Sequence, residues 1–108
     1  MMEEKSDSVP HVILKQLGGQ RFVAMTGAKS FSGGERDLSF RLSPNMTRDR
    51  ASMMRITLSA DDTYTVETMK VVRYDPVVLD TREQVHVGEL RRVFTAMTGL
   101  DTSLGRVG

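Results

Sequence analysis

The stretch Met53-Met54-Arg55-Ile56-Thr57-Leu58-Ser59-Ala60-Asp61-Asp62-Thr63-Tyr64-Thr65-Val66-Glu67 decides the fold. Met54, Ile56 and Leu58 alternate with Arg55, Thr57 and Ser59, the period of two that marks a half-buried strand. Ala60-Asp61-Asp62 is a tight turn signal, short enough to make the next segment its antiparallel hairpin partner. That partner runs from Thr63 to Glu67 and on towards Val71-Val72-Arg73-Tyr74. The alternation breaks between Glu67 and Lys70, which predicts a bulge or bend. Asp75-Pro76 closes the run, and Val77-Val78-Leu79 is compatible with a short edge segment, which leaves a fifth strand over 76–79 open.

Upstream, Leu38, Phe40 and Leu42 alternate with Ser39 and Arg41 as a further half-buried strand, ended by Ser43-Pro44-Asn45. Thr47 to Arg50 is polar and reads as loop. The run Arg21-Phe22-Val23-Ala24-Met25-Thr26 is apolar on both faces, as a central strand would be. Ser30-Phe31-Ser32-Gly33-Gly34-Glu35 reads as a turn or loop. Ser8 followed by Pro10 signals a helix start, with Val9, Ile13, Leu14 and Leu17 on one stripe and Gly18-Gly19 as the stop.

Downstream, Thr81-x-x-Gln84 fits a capping box, followed by the stripe Leu90, Val93, Phe94 and Met97. Gly88 weakens that start and leaves open one nearer Val87. Gly99 with Leu100 matches a left-handed helix end. The expected architecture is α+β: a helix, a four-stranded antiparallel meander and a closing helix, both helices packing on one face of the sheet. A single domain over 8–100 would lie between a flexible start at 1–7 and a flexible tail at 101–108. The other sheet face would show Ser39, Arg41, Arg55, Thr57, Thr63, Thr65 and Glu67.

Composition narrows the chemistry. The 108 residues are 39% hydrophobic and 27% charged, with a net charge of +1, enough apolar material for one core. With no cysteine, disulfides, thiolate metal sites and thiol chemistry are excluded. No apolar run reaches the ~18 to 20 residues of a membrane span, so no membrane association is expected. The first residues lack a secretory pattern, and the expected setting is a bacterial cytoplasm. Charge is uneven: residues 15–50 hold seven basic side chains against three acidic ones, the one mildly basic region.

A catalytic constellation is missing from the pattern. His11 and His86 lie far apart without a second ligand at helical spacing, and Asp61-Asp62 is more simply a turn than a cation site. No G-x-S-x-G elbow occurs, and neither Gly18-Gly19 nor Ser32-Gly33-Gly34 sits in a phosphate-loop motif. No catalytic, cofactor or metal residue is expected, and the chain is expected not to be an enzyme. Convergence of His86 with an Asp or Ser would be the first sign of one. Lys29, two residues after Gly27, reads as a solvated loop lysine.

The element order invites comparison with double-stranded-RNA-binding domains, but the start of the last helix lacks their lysines. The sheet lacks the paired aromatics of a base-stacking platform. What remains is a surface of Arg41, Arg48, Arg50 and Arg55 with Thr57 and Thr65, open to a protein partner or to nucleic acid phosphates.

Three segments carry a resemblance: Leu17-Gly18-Gly19-Gln20-Arg21-Phe22-Val23-Ala24-Met25-Thr26-Gly27-Ala28-Lys29, Asp62-Thr63-Tyr64-Thr65-Val66-Glu67, and Phe94 to Leu104 with its Thr98-Gly99-Leu100. Together they resemble a family of small uncharacterised proteins of phages, prophages and other bacterial mobile elements, over about residues 13–104. The resemblance implies no catalytic residue. It implies an accessory protein that acts stoichiometrically, by binding a bacterial host or defence protein in the manner of an anti-CRISPR. The alternative is a DNA- or RNA-binding regulator using the basic 15–50 region. Oligomeric state is not legible.

Overall fold

The computed structural model describes residues 8–102. Two helices, α1 (Val9–Leu17) and α2 (Gln20–Thr26), precede five strands: β1 (Lys29–Gly33), β2 (Asp37–Arg41), β3 (Met53–Leu58), β4 (Tyr64–Val72) and β5 (Asp75–Val85). A closing helix, α3 (Leu90–Thr98), follows, and single 3-10 turns span Arg48–Arg50 and Val87–Glu89. The strands form one antiparallel meander in the order β1-β2-β3-β4-β5. The α+β class therefore stands, while the expected four strands are corrected to five and the two helices to three.

The hairpin that anchors the reading forms as its pattern dictates. Arg55 faces Glu67, Ile56 faces Val66 and Thr57 faces Thr65 across β3 and β4. Asp61 Oδ1 closes the turn by accepting from the Thr63 amide at 3.2 Å and its hydroxyl at 2.6 Å. Those donors hold the Asp61 carboxyl below its ordinary range, the hydroxyl of Thr63 contributing most. The bulge expected between Glu67 and Lys70 is present as a register shift between Thr68 and Met69.

Arg21–Thr26 is helix, not a central strand. A short apolar run is ambiguous by periodicity alone, and here burial recurs at Phe22 and Thr26, one turn apart. The Thr26 hydroxyl donates back to the Phe22 carbonyl at 2.8 Å, and Gly27 ends the helix in a left-handed conformation, its amide on the Val23 carbonyl. Gly18 (φ 130°) and Gly19 (φ 63°) thus separate two helices, a reversal that L side chains rarely adopt.

Ser30–Gly33 belongs to β1, not to a loop, and Thr81–Gln84 belongs to β5, not to a helix cap. Both are edge strands, exposed over most of their length, so no burial period marks them in the sequence. The closing helix is instead entered through the turn Val87–Glu89, where Glu89 Oε1 accepts from the His86 amide at 3.3 Å.

All three helices cover one face of the sheet. Leu38, Phe40, Met54, Ile56 and Val66 point to it and pack with Ile13, Leu17, Phe22, Leu90 and Phe94 in one core. At its centre Phe22 meets Phe94 at 5.1 Å and Phe40 at 5.5 Å between ring centroids, both edge-to-face, a geometry the ring quadrupoles favour. Tyr64 seats its ring in this core and donates its hydroxyl to Gln16 of α1. Thr102 is buried and accepts from Arg91 at 3.2 Å, so packing reaches the last described residue. The rest of the expected tail, and the expected flexible start at 1–7, lie outside the described residues.

One contact between layers is intolerant of added volume. A Cβ on Gly33 of β1 would stand 2.6 Å from Cβ and Cγ of Pro10, whose ring cannot swing aside. Gly33→Ala is expected to destabilise by about 1 to 3 kcal/mol through overpacking. Gly88→Ala, whose Cβ meets nothing within 4 Å, is the matched control and should lose nothing in a urea unfolding series.

Candidate functional site

The strand ends β1-start, β2-end, β3-start and β4-end share one end of the sheet, because each neighbour runs antiparallel. There Lys29 faces Arg41 across β1 and β2, Arg41 faces Met53, and Met53 faces Met69. The connection from Leu42 to Ser52 returns over this end and brings Arg50 with it. The result is an open groove of about 670 Å³ whose lining includes Lys29, Arg41, Arg50 and Lys70.

No Asp or Glu lines the groove, and none of its four cations forms an ion pair among the described residues. Ser30, Ser43 and Ser52 add hydroxyls to the wall. Ser52 Oγ is buried without a hydrogen-bond partner among the described residues, a condition that native structures seldom leave unanswered. Two lining residues, Ser30 (φ 57°) and Arg50 (φ 59°), hold left-handed backbone conformations. Such strain gathers where surrounding structure over-determines a functional shape. Small-molecule pockets of this size are mostly apolar inside, whereas this groove is open, hydroxylated and positive. Its chemistry suits a chain of anionic oxygens.

The surface expected from sequence divides. Arg41 and Arg50 meet in the groove. Arg48 turns away, its guanidinium about 4.0 Å from where a side chain on Gly99 would begin, at the C-terminal end of α3. A cation there complements the helix dipole. Arg55 sits on the open sheet face and bonds Glu67 Oε1 at 3.3 Å, so its charge is locally answered. Thr57 and Thr65 face each other on that same face, with the Thr65 and Ser59 hydroxyls 3.4 Å apart. Thr63, expected there as well, is buried in its turn instead.

Lys29 and Lys70 are the groove residues the sequence reading misses. Lys29 looks like a loop lysine until β1 pairs it with Arg41. Lys70 follows the bulge, where alternation no longer tells which way a side chain points. His86 sits exposed at the entry to α3. Among the described residues, no three His, Asp or Glu side chains gather to hold a metal ion. No helix there is long and apolar enough to cross a membrane.

A second feature adjoins the groove. β3 begins at Met53, which pairs with Met69, so beyond Met69 the strand β4 keeps only β5 as a neighbour. Lys70 to Val77 therefore form a two-stranded ribbon extending past the body of the sheet, and Val71, Val72, Val77 and Val78 are exposed. Arg73 (φ 54°) and Tyr74 (φ 73°) make its tip, and Tyr74 is 97% exposed.

No known family model, curated protein or solved structure matches the chain.

Proposed function

We propose that this chain is a small non-enzymatic accessory protein of the phage or mobile-element type, and that it acts by binding nucleic acid through its basic groove. The observation that carries the reading is the convergence of Lys29, Arg41, Arg50 and Lys70 on one concave surface with no carboxylate among the described residues that line it. Like charges held together repel in the free protein, and a phosphate backbone relieves that repulsion while releasing its own condensed counterions. The protein partner expected first from sequence has less support here, because a surface of four cations without an ion-pair partner among the described residues selects for anions before shape.

The test is binding of labelled single- and double-stranded oligonucleotides by fluorescence anisotropy. Four phosphate contacts predict a log–log salt slope of about −2.8 for a single strand and about −3.6 for a duplex. Saturable binding at about 50 mM salt that weakens about 50- to 150-fold by about 200 mM is the expected result. No binding to either form at the lower salt would remove nucleic acid as the ligand. The exposed valines of the ribbon would then favour the second reading, stoichiometric binding of a host or defence protein.

A further inference from the structure

We infer that the tip of the β4–β5 ribbon presents Tyr74 as a stacking surface for an unpaired base, so that the nucleic acid in the groove is single-stranded. The inference rests on the groove reading and adds the class of strand to it.

Three observations converge. The first is the turn. Two-residue hairpin turns with positive φ at both central positions are built from Asn, Asp and Gly, because a Cβ is disfavoured there. This turn instead holds Arg73 and Tyr74, at φ 54° and 73°. The Tyr74 side chain does nothing for the fold, since it is 97% exposed and makes no hydrogen bond or ring contact among the described residues. Strain kept without a packing return marks a residue held for an external contact.

The second observation is position. Lys70 and Val71 line the groove, and Tyr74 lies three residues beyond Val71 on the same ribbon. Because the chain reverses at Arg73 and Tyr74, the separation of Val71 and Tyr74 is at most about 10 Å, the span of three extended residues and within the reach of a few nucleotides. A backbone lying on Lys29, Arg41, Arg50 and Lys70 can thus set a base against the Tyr74 ring. Arg73 stands beside it as a further cation, and Asp75 is the one acidic neighbour at the tip.

The third is chemistry. Every base has a π-face, so an exposed aromatic next to a cationic track grips single strands without reading sequence. In a duplex those faces are already stacked, and only the phosphates are offered.

The experiment uses the whole chain and an oligothymidylate of roughly 12 nucleotides, within the usual range of single-strand site sizes. The chain has no tryptophan and two tyrosines, and Tyr64 is buried out of a ligand's reach, so a change in tyrosine emission on binding reports on Tyr74. Binding should quench that emission. Tyr74→Ala should weaken oligothymidylate about 5- to 150-fold, with the salt slope and melting temperature unchanged. Tyr74→Phe should keep the affinity and lose the quench.

Tyr74→Ala binding within twofold of wild type, with the slope intact, overturns the stacking inference and leaves the groove reading standing. A wild type that prefers duplex to oligothymidylate overturns it as well. A wild type that binds no nucleic acid overturns both and leaves the ribbon to a protein partner.

Discussion

Phe94→Ala is expected to destabilise the protein by about 3 to 5 kcal/mol. Phe94 is wholly buried, 5.1 Å from Phe22 of α2 and 6.4 Å from Phe40 of β2. Truncation removes the transfer energy of the ring and its edge-to-face contact, and leaves a cavity where α2, α3 and the sheet meet. Such a loss is a large share of the ~5 to 15 kcal/mol that a domain of this size commands. A fall in Tm of at least about 10 °C should follow. A variant melting within a degree or two of wild type would mean that α3 does not rest on the sheet as described.

Reversing two groove charges, Arg41→Glu with Lys70→Glu, is expected to abolish nucleic acid binding while leaving the fold intact. Neither side chain has an ion-pair partner among the described residues, and Arg41 is exposed, so the folded state loses little. Binding loses much more. Two cations become two anions, and the groove's net charge falls from four to about zero. At about 50 mM salt the electrostatic part of a four-contact affinity amounts to roughly three and a half decades relative to 1 M, and the double reversal should remove most of it. The log–log salt slope should flatten from about −2.8 towards zero. Arg55→Glu is the contrasting variant. Arg55 is engaged with Glu67 and stands outside the groove, so reversal there should change affinity by less than about threefold, within the modest range of exposed charge pairs. Equal losses in the two variants would shift the contact surface onto the open sheet face.

What was legible in the sequence follows burial. β2, β3 and β4 declare themselves because one face of each is in the core and the other is not, so alternation survives in Leu38 and Phe40, in Met54 and Ile56, and in Tyr64 and Val66. The edge strands carry no such signature, since β1 is exposed throughout and β5 nearly so. Their existence depends on hydrogen bonds to a neighbour, which a one-dimensional pattern does not record. α2 was hidden for another reason. Seven residues between glycines can satisfy two periods at once, and the choice is made by where Phe22 must go to meet Phe40 and Phe94. The groove shows the same logic. Arg41 and Arg50 stand out by charge alone, but Lys29 joins them only through the β1–β2 register, and Lys70 only after a bulge. Arg48, two residues from Arg50, lies beside Gly99 instead, and the left-handed backbone at Asp49 and Arg50 breaks any simple periodicity between them.

The decisive measurement is amide chemical-shift mapping on isotopically labelled protein during titration with oligothymidylate at low salt. The groove reading predicts that four segments far apart in sequence respond together: Lys29–Ser30, Arg41–Ser43, Arg50–Ser52 and Lys70–Val71. The outer surface of α3 around Arg92 should stay silent. Perturbations confined to α3, spread evenly over the surface, or missing altogether would contradict it.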